Sequence, residues 1–395
     1  MTADHAAGAR TPRLDSLTSL RWWAALAVFF FHVRNIVPLP DPVAEVARYG
    51  YLGVTFFFVL SGFVLTWSWR PSVGIGTFYW RRFARIWPLH VVALLIAIPV
   101  FYSFSPDPDQ AWVKPYSVIV LILSLLLLQG WSRDPVVLFG GNPAAWTLTA
   151  EMFFYALHPF ITKALRLLSG RAALWAAITI LALSVLARVA ILADPTGWLA
   201  MLPWPVLRLN EFVIGMCLAW SFRQGWRPRL PIWLPVVLMA AYLSSVSLLE
   251  SRPEYAVVYG VLVGHVSEIM TALFALLICA CAVSDLEGRT RIGRSRVLVA
   301  LGEWSYAFYL VHATLIYALR EQIGLQYGKT GAVWILVLLC SSIALAWLLH
   351  VTVERPLERR LRAWQNGLVQ RRENRRKTQR DDTTSEDLRI ESGGS

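Results

Sequence analysis

Two ionisable residues, Arg21 and His32, lie within one long apolar stretch of the chain, residues 17–33. In an α-helix, eleven residues at about 100° each bring His32 back to within about 20° of Arg21, roughly 16 Å further along the axis. Both side chains are therefore predicted to face the same side of one helix. A neutral imidazole can remove a proton near neutral pH, and ionisable groups inside a membrane span usually face a cavity or a partner. An arginine that extends to the lipid headgroups, beside a packing histidine, would leave the same pattern.

The next candidates are two arginines, Arg82 and Arg85, in an aromatic segment that Pro88 is expected to close. At a spacing of three residues they share one face of a helix, where two guanidinium groups can hold phosphates bidentately. Arginine pairs are also common in cytoplasmic loops for topological reasons alone. A donor with several phosphates, such as a coenzyme A thioester, would suit the pair.

Glu151 and Tyr155 place a carboxylate and a phenol on one face of a third segment, because they are four residues apart. An unpaired carboxylate among apolar residues is costly, so we expect a partner for Glu151, and Arg21 is a candidate. Structural pairing and catalytic orientation both explain this pattern. Tyr309 and His312 share a face of a later span and are candidates for lining a site, although a hydrogen-bonded core histidine also accounts for His312.

Two charged clusters have a simpler interpretation. Arg208 and Glu211 are three residues apart, and Glu354 is followed directly by Arg355. Each cluster is expected to form a local ion pair.

Composition assigns the chain to the polytopic membrane proteins. Of its 395 residues, 56% are hydrophobic and only 16% are charged, and the mean hydropathy is +0.51, which is too apolar for a water-soluble globule. The net charge of +12 reflects arginines in short segments between apolar runs, as is typical of cytoplasmic loops. We therefore expect the lipid bilayer, and no nucleic acid, as a partner. The four cysteines show no disulfide or metal-ligand spacing, so neither a metal nor a bound cofactor is predicted.

Eleven apolar runs are long enough to be considered as spans, namely 17–38, 50–69, 86–104, 117–131, 146–163, 172–193, 206–222, 231–249, 257–283, 297–320 and 331–353. Arginine-rich segments place both termini on the cytoplasmic side, which requires an even number of crossings. Residues 86–163 hold three runs between two segments that both favour the cytoplasm, so one run must fail to cross. We expect 146–163 to be that run, and predict an all-α polytopic bundle of about ten transmembrane helices.

This pattern divides the chain into three parts. Residues 1–16 are predicted to be a cytoplasmic N-terminal segment without a removed signal peptide, and residues 17–360 a transmembrane domain. Residues 361–395 are charged and poor in apolar groups, and are predicted to be a disordered cytoplasmic tail. The protein is expected to be a multi-pass protein of the cell membrane with both termini inside.

Five motifs follow one another along the chain. They are R-x-x-A-A-x-x-V-x-x-x-H at 21–32, F-x-x-x-R-x-x-R-I-x-P at 78–88, W-T-L-x-x-E-x-x-F-Y-x-x-x-P at 146–159, L-G-x-x-S-Y-x-x-Y-L-x-H at 301–312 and E-R-P at 354–356. In this order and at these separations they resemble the membrane acyltransferase-3 family, over roughly residues 14–360. The resemblance implies about ten transmembrane helices, an acyltransferase domain over 17–360, and O-acylation of surface polysaccharides, peptidoglycan, lipo-oligosaccharides or macrolide sugars. The resemblance leaves open whether a secreted or periplasmic partner takes part, because the chain lacks the hydrolase-like domain fused to some relatives.

Residue by residue, the resemblance implies that His32 is the catalytic histidine and Arg21 its functional companion. It also implies that Arg82 and Arg85 bind the acyl donor, while Glu151 and Tyr155 match a further functional motif. The predicted reaction is direct transfer from an acyl-CoA, such as acetyl-CoA, to a hydroxyl of a sugar-containing acceptor, with His32 as the general base.

The rival hypothesis is a transporter or flippase for a glycan or lipid intermediate, in which Arg21, His32 and Glu151 form a polar pathway. A noncatalytic membrane scaffold is a third. The enzymatic hypothesis makes one structural demand: the His32 ring must be within reach of the arginine-lined entrance.

Overall fold

Of the residues that the structure describes, 77% are helical and very few are in strands, which confirms the all-α class. The computed structural model describes residues 11–41, 43–289 and 292–371. The helices in the first half of the described chain are α1 Asp15–Val33, α2 Val43–Arg48, α3 Gly53–Trp67, α4 Ile75–Phe101, α5 Val118–Leu125, α6 Pro135–Leu138, α7 Trp146–Leu165 and α8 Gly170–Ala193. In the second half they are α9 Trp204–Leu207, α10 Leu209–Arg223, α11 Trp233–Glu250, α12 Ala256–Gly264, α13 Val266–Leu286, α14 Arg296–Ile323 and α15 Gly328–Leu349. A π-helical turn, His350–Glu354, joins α15 to a last helix, α16, over 355–371.

Seven helices of the described chain are long and apolar enough to cross a membrane. Three helices that overlap predicted spans, α7, α10 and α14, are not among them. Helices α7, α10 and α14 carry ionisable groups inside the bundle, such as Glu151 and Glu211. Helix α10 is also short and is buried along most of its length. Helices shielded by protein need not be as apolar as helices that face lipid. The predicted number of ten is not confirmed by these criteria.

The incomplete crossing lies elsewhere than predicted. The run 117–131 forms only α5, an eight-residue helix, and then a 3₁₀ turn, Gln129–Trp131. Eight residues rise about 12 Å, far less than the hydrocarbon core. Residues 146–163 instead belong to one 20-residue helix, α7, so their choice as the interrupted segment is wrong. Two short parallel strands, β1 Tyr102–Ser103 and β2 Lys114–Pro115, precede α5, with Tyr102 opposite Lys114.

Two further boundaries differ from the expectation. Helix α4 continues through Pro88 to Phe101 instead of closing there, and the run 257–283 is broken at His265 into α12 and α13. The predicted tail also begins too early, because 361–371 are helical and the Trp80 indole donates a 2.8 Å hydrogen bond to the carbonyl oxygen of Leu361. Residues 372–395 and 1–10 lie outside the described residues.

Helices α1 and α14 form the centre of the bundle and run in the same direction. The rings of Trp22 and Phe308 contact each other at 5.0 Å, and further along both helices the rings of His32 and His312 lie 5.3 Å apart. The two helices therefore hold the first and fourth sequence motifs side by side over several turns.

Glycines allow α3 and α10 to pack at backbone distance. A Cβ atom at Gly62 would overlap the carbonyl oxygen of Phe212, and one at Gly215 would overlap that of Val59. Helix α3 runs opposite to α1, since the Trp67 indole near its end donates to the carbonyl oxygen of Pro12 at 3.1 Å. Small residues at such a crossing are typical of helix contacts in membranes.

Leucine at Gly215 should destabilise the protein by about 3 kcal/mol or more, because the side chain must push α10 away from α3. We expect a lower Tm in detergent and a lower yield of monodisperse protein. Gly260→Leu is the matched control, since nothing lies within 4 Å of its added Cβ. Equal Tm values for the two variants would contradict the close packing.

Candidate active site

A polar cavity of about 550 Å³ lies between the helices at the end of the bundle where α1 begins. Its lining includes most of the predicted site residues: Arg21, Arg82, Arg85, Glu151, Tyr155 and Tyr309. They come from α1, α4, α7 and α14, which are distant in the sequence. The volume is within the range of small-molecule sites, about 300–1,000 Å³. We call this end of the bundle the arginine end, after Arg21, Arg82 and Arg85.

Three of the arginines that line the cavity, Arg21, Arg82 and Arg85, make no contact with the carboxylate of a described residue. Within the described chain, none of them makes an ion pair or a side-chain hydrogen bond. Arg82 lies over the rings of Phe78 and Tyr155, at 5.9 and 6.0 Å, and its Nε is buried without a partner. Arg21 and Arg85 are close enough to repel each other. Half-buried cations in this state are suited to bind an anion, which would supply the missing charge-assisted hydrogen bonds.

Glu151 lies in the same cavity but is not a direct partner of Arg21. It is near enough to Arg21 and Arg85 for electrostatic attraction, yet no contact ion pair forms among the described residues. Tyr155, one turn further along α7, is within reach of Glu151 and Ser61. The carboxylate therefore balances the arginines across open space, where a ligand can lie between them.

Glu354 is a residue of this cavity that sequence reasoning missed. It is only 3% exposed, lines the cavity, and lies near Arg21 and Arg85. Its Oε2 pairs with Nδ1 of His350 at 2.9 Å across the π-helical turn, so the expected ion pair with Arg355 is wrong. Such turns often occur at functional sites. The sequence feature that could have identified Glu354 as a site residue is the E-R-P motif at 354–356.

His32 and His312 lie outside the lining of the cavity. The His312 side chain is fully buried; its Nδ1 lies 3.1 Å from the carbonyl oxygen of Phe308, and its Nε2 has no partner. His32 is half-buried, and its Nδ1 also has no partner. Two neighbouring imidazoles therefore each present one unpaired ring nitrogen.

Tyr309 separates the cavity from the two histidines. It lines the cavity, and its ring lies 6.0 Å from the His312 ring and 6.0 Å from the Phe57 ring. Its hydroxyl lies 3.1 Å from that of Thr147. The His32 ring is thus beyond an aromatic layer as seen from the arginines, and reaching it requires this layer to move.

The Arg208–Glu211 ion pair is confirmed, with 3.1 Å between Nη1 and Oε1. Arg208 also donates a 2.7 Å hydrogen bond to Oγ1 of Thr55. The pair therefore ties the start of α10 to α3. It lies outside the lining of the cavity.

Apolar helices that surround a half-buried group of arginines, carboxylates and phenols define a polytopic membrane protein with a polar internal site. The family described as Acyltransferase domain matches residues 14–351. This chain therefore belongs to the acyltransferase-3 family and is a membrane O-acyltransferase of that family, which confirms the resemblance that the five motifs predict.

Several curated proteins are similar to this chain. Acyltransferase MdmB of Streptomyces mycarofaciens is 34% identical over 379 residues, which cover 89% of this chain and 93% of the relative. Exopolysaccharide production protein ExoZ of Rhizobium meliloti (strain 1021) is 28% identical over 80% of this chain and 91% of its own length. Nodulation protein 10 of Rhizobium leguminosarum bv. viciae is 26% identical over 55% of this chain and 66% of its own. No solved structure matches.

Proposed function

We propose that this enzyme takes its acyl group from acyl-CoA and transfers it to a hydroxyl of a sugar-containing acceptor. The observation that carries the proposal is the cavity in which Arg21, Arg82 and Arg85 make no contact ion pair with a described residue. The phosphates of a CoA thioester match this need, because arginines hold phosphate bidentately. A relative named for exopolysaccharide production favours a cell-surface glycan as the acceptor. A cell-surface lipid and a glycosylated macrolide-type metabolite are the other acceptors within this proposal.

In the proposed reaction, the acceptor oxygen attacks the thioester carbonyl carbon directly. His32 takes the proton of the acceptor hydroxyl, the carbon–oxygen ester bond forms, the carbon–sulfur bond breaks, and the proton is passed to the CoA thiolate. The products are the ester and free CoA. A positioned general base contributes roughly 10²- to 10⁴-fold to such a rate. Arg21 and Glu151 would orient the donor and balance charge.

The His312 ring packs beside the proposed base. The carbonyl oxygen of Phe308 lies 3.1 Å from Nδ1 of His312 and favours a proton there. The His32 and His312 rings lie 5.3 Å apart, but Nδ1 of His32 and Nε2 of His312 are each buried without a hydrogen-bond partner. His312 therefore contributes to the packing around the base and makes no direct hydrogen bond to it.

The acyl group must pass the layer formed by Tyr309 and Phe57. The Tyr309 hydroxyl makes two neutral contacts, with the Thr147 hydroxyl at 3.1 Å and with the carbonyl oxygen of Ala144 at 3.3 Å, and each neutral hydrogen bond contributes only about 0.5–1.5 kcal/mol. A donor whose phosphates are bound at the arginine end would offset this cost, so we propose that donor binding displaces the Tyr309 ring.

We further propose ten crossings of the cell membrane, with both termini and the arginine end in the cytoplasm. Helices α7, α10 and α14 would add three crossings to the seven apolar ones. The segments after α7 and α10 lie at one end, because the Trp220 indole donates to the carbonyl oxygen of Leu168 at 3.0 Å. Both segments are rich in arginine, which favours the cytoplasmic side.

A transporter or flippase is the alternative, and one experiment separates the two functions. The purified protein is reconstituted in proteoliposomes with acyl-labelled acetyl-CoA and an extract of lipids and glycans from the host cell. We expect free CoA and labelled ester to appear in equal amounts, and only when the protein is present. Movement of the extract's glycans across the bilayer without consumption of acetyl-CoA would contradict the proposal and favour a transporter.

A further inference from the structure

His32 also borders a partly accessible ring away from the arginine end. Tyr309 and His312 connect the cavity to the His32 ring, while Tyr317, further along α14, lies 6.1 Å from the His32 ring at 74°. His32 and Tyr317 are both half-buried, so each keeps an accessible part. We take the Tyr317 side as the second approach to the histidine, from the other end of the bundle.

Aromatic rings form the wall of this second approach. Trp112, from the loop between β1 and β2, lies 5.4 Å from the Tyr317 ring at an angle of 30°. The fully buried Phe101, at the end of α4, supports Tyr317 at 5.7 Å. Pairing of β1 with β2 fixes the ends of the loop. Trp112 and Tyr317 thus pack against each other while both are only half-buried.

Hydrogen-bonding groups border the same rings. Asn35 donates a 2.8 Å bond to the Tyr317 hydroxyl, so the phenol can still donate its own proton and the Asn35 carbonyl can accept one. The Arg320 guanidinium lies over the Trp112 ring at 4.7 Å and makes no ion pair with a described residue. Donors and acceptors therefore occur within reach of an aromatic surface next to the histidine.

We propose that this surface, formed by Asn35, Trp112, Tyr317 and Arg320 and called here the Trp112 surface, binds the sugar ring that carries the acceptor hydroxyl. A pyranose has an apolar face of C–H groups and a rim of hydroxyls, and sites for small polar ligands combine aromatic walls with a few placed polar groups. The inference rests on the proposed function and extends it. Donor and acceptor approach His32 from opposite ends of the bundle, so the acceptor need never enter the arginine-lined cavity.

Binding of sugar without donor tests the Trp112 surface apart from catalysis. The probes are methyl β-glycosides of glucose, galactose and N-acetylglucosamine, and the readout is saturation-transfer difference NMR on the full chain in lipid nanodiscs. We expect ring-proton signals with at least one probe, an at least roughly tenfold weaker signal in Trp112→Ala, and retention in Trp112→Phe. Trp198→Ala is the matched control, because Trp198 is 74% exposed and outside this surface.

A second variant distinguishes the loss of a sugar contact from misfolding of the protein. Asn35→Ala removes one hydrogen-bonding group and leaves the aromatic rings, so it should weaken the same signals while the protein stays monodisperse. Absence of signal with all three probes in the wild type, or a full signal in Trp112→Ala, would overturn the proposal. Consumption of acetyl-CoA is measured on the same samples. Loss of sugar binding with unchanged acetyl-CoA hydrolysis supports the Trp112 surface, whereas a wild type that binds sugar but never consumes acetyl-CoA contradicts only the proposed function.

Discussion

Replacing His32 with alanine should lower the rate of acyl transfer by roughly 10²- to 10⁴-fold, because the acceptor hydroxyl loses its general base. The KM for acyl-CoA should not change, since His32 lies outside the arginine-lined cavity. The measurement is transfer from labelled acetyl-CoA in membranes that contain equal amounts of inserted protein.

The control is His265→Ala, which removes a histidine at the break between α12 and α13, where its Nδ1 contacts only the carbonyl oxygen of Val261 at 2.9 Å. This variant should retain wild-type turnover. Equal turnover of His32→Ala and wild type would remove His32 from the chemistry. The layer around Tyr309 would then be a permanent wall, and the reaction would have to take place in the cavity itself.

Removing both arginines of the pair, Arg82→Ala with Arg85→Ala, should raise the KM for acyl-CoA at least about 100-fold. Each charge-assisted hydrogen bond to a phosphate is worth about 1.5–3 kcal/mol, and two or more are lost together. The rate at saturating donor should fall much less than in His32→Ala, because the pair lies away from the reacting carbon. Both quantities come from one donor titration.

Arg81→Ala is the matched control for the pair. Arg81 lies next to Arg82 on α4 but does not line the cavity, so its loss changes the local positive charge without removing a ligand. We expect a KM for acyl-CoA within a factor of about two of wild type. An unaltered donor titration in the double variant would assign both arginines a topological role, as the positive-inside rule alone would predict.

Helix periodicity was sufficient to pair residues within one element. Arg21 with His32 on α1, and Glu151 with Tyr155 on α7, lie on uninterrupted helices as predicted, because the 3.6-residue repeat depends only on local backbone geometry. The interruption in 86–163 was misplaced for the opposite reason. Hydropathy alone predicts that the run containing α5 crosses the membrane and that Glu151 prevents α7 from crossing. The residues that shield Glu151 from lipid, however, come from α1, α3, α4 and α14, and hydropathy cannot reveal them.

Apolar composition and motif spacing are enough to identify the membrane class, the family and the residue types that could do chemistry, since both are local properties of the chain. How these residues meet depends on the packing of the helices. The tertiary structure gathered Arg21, Arg82 and Arg85 around one cavity, added Glu354 through a π-helical turn, and placed Tyr309 between that cavity and His32. These relations depend on the packing of helices far apart in the chain, where glycines such as Gly62 and Gly215 set the distances.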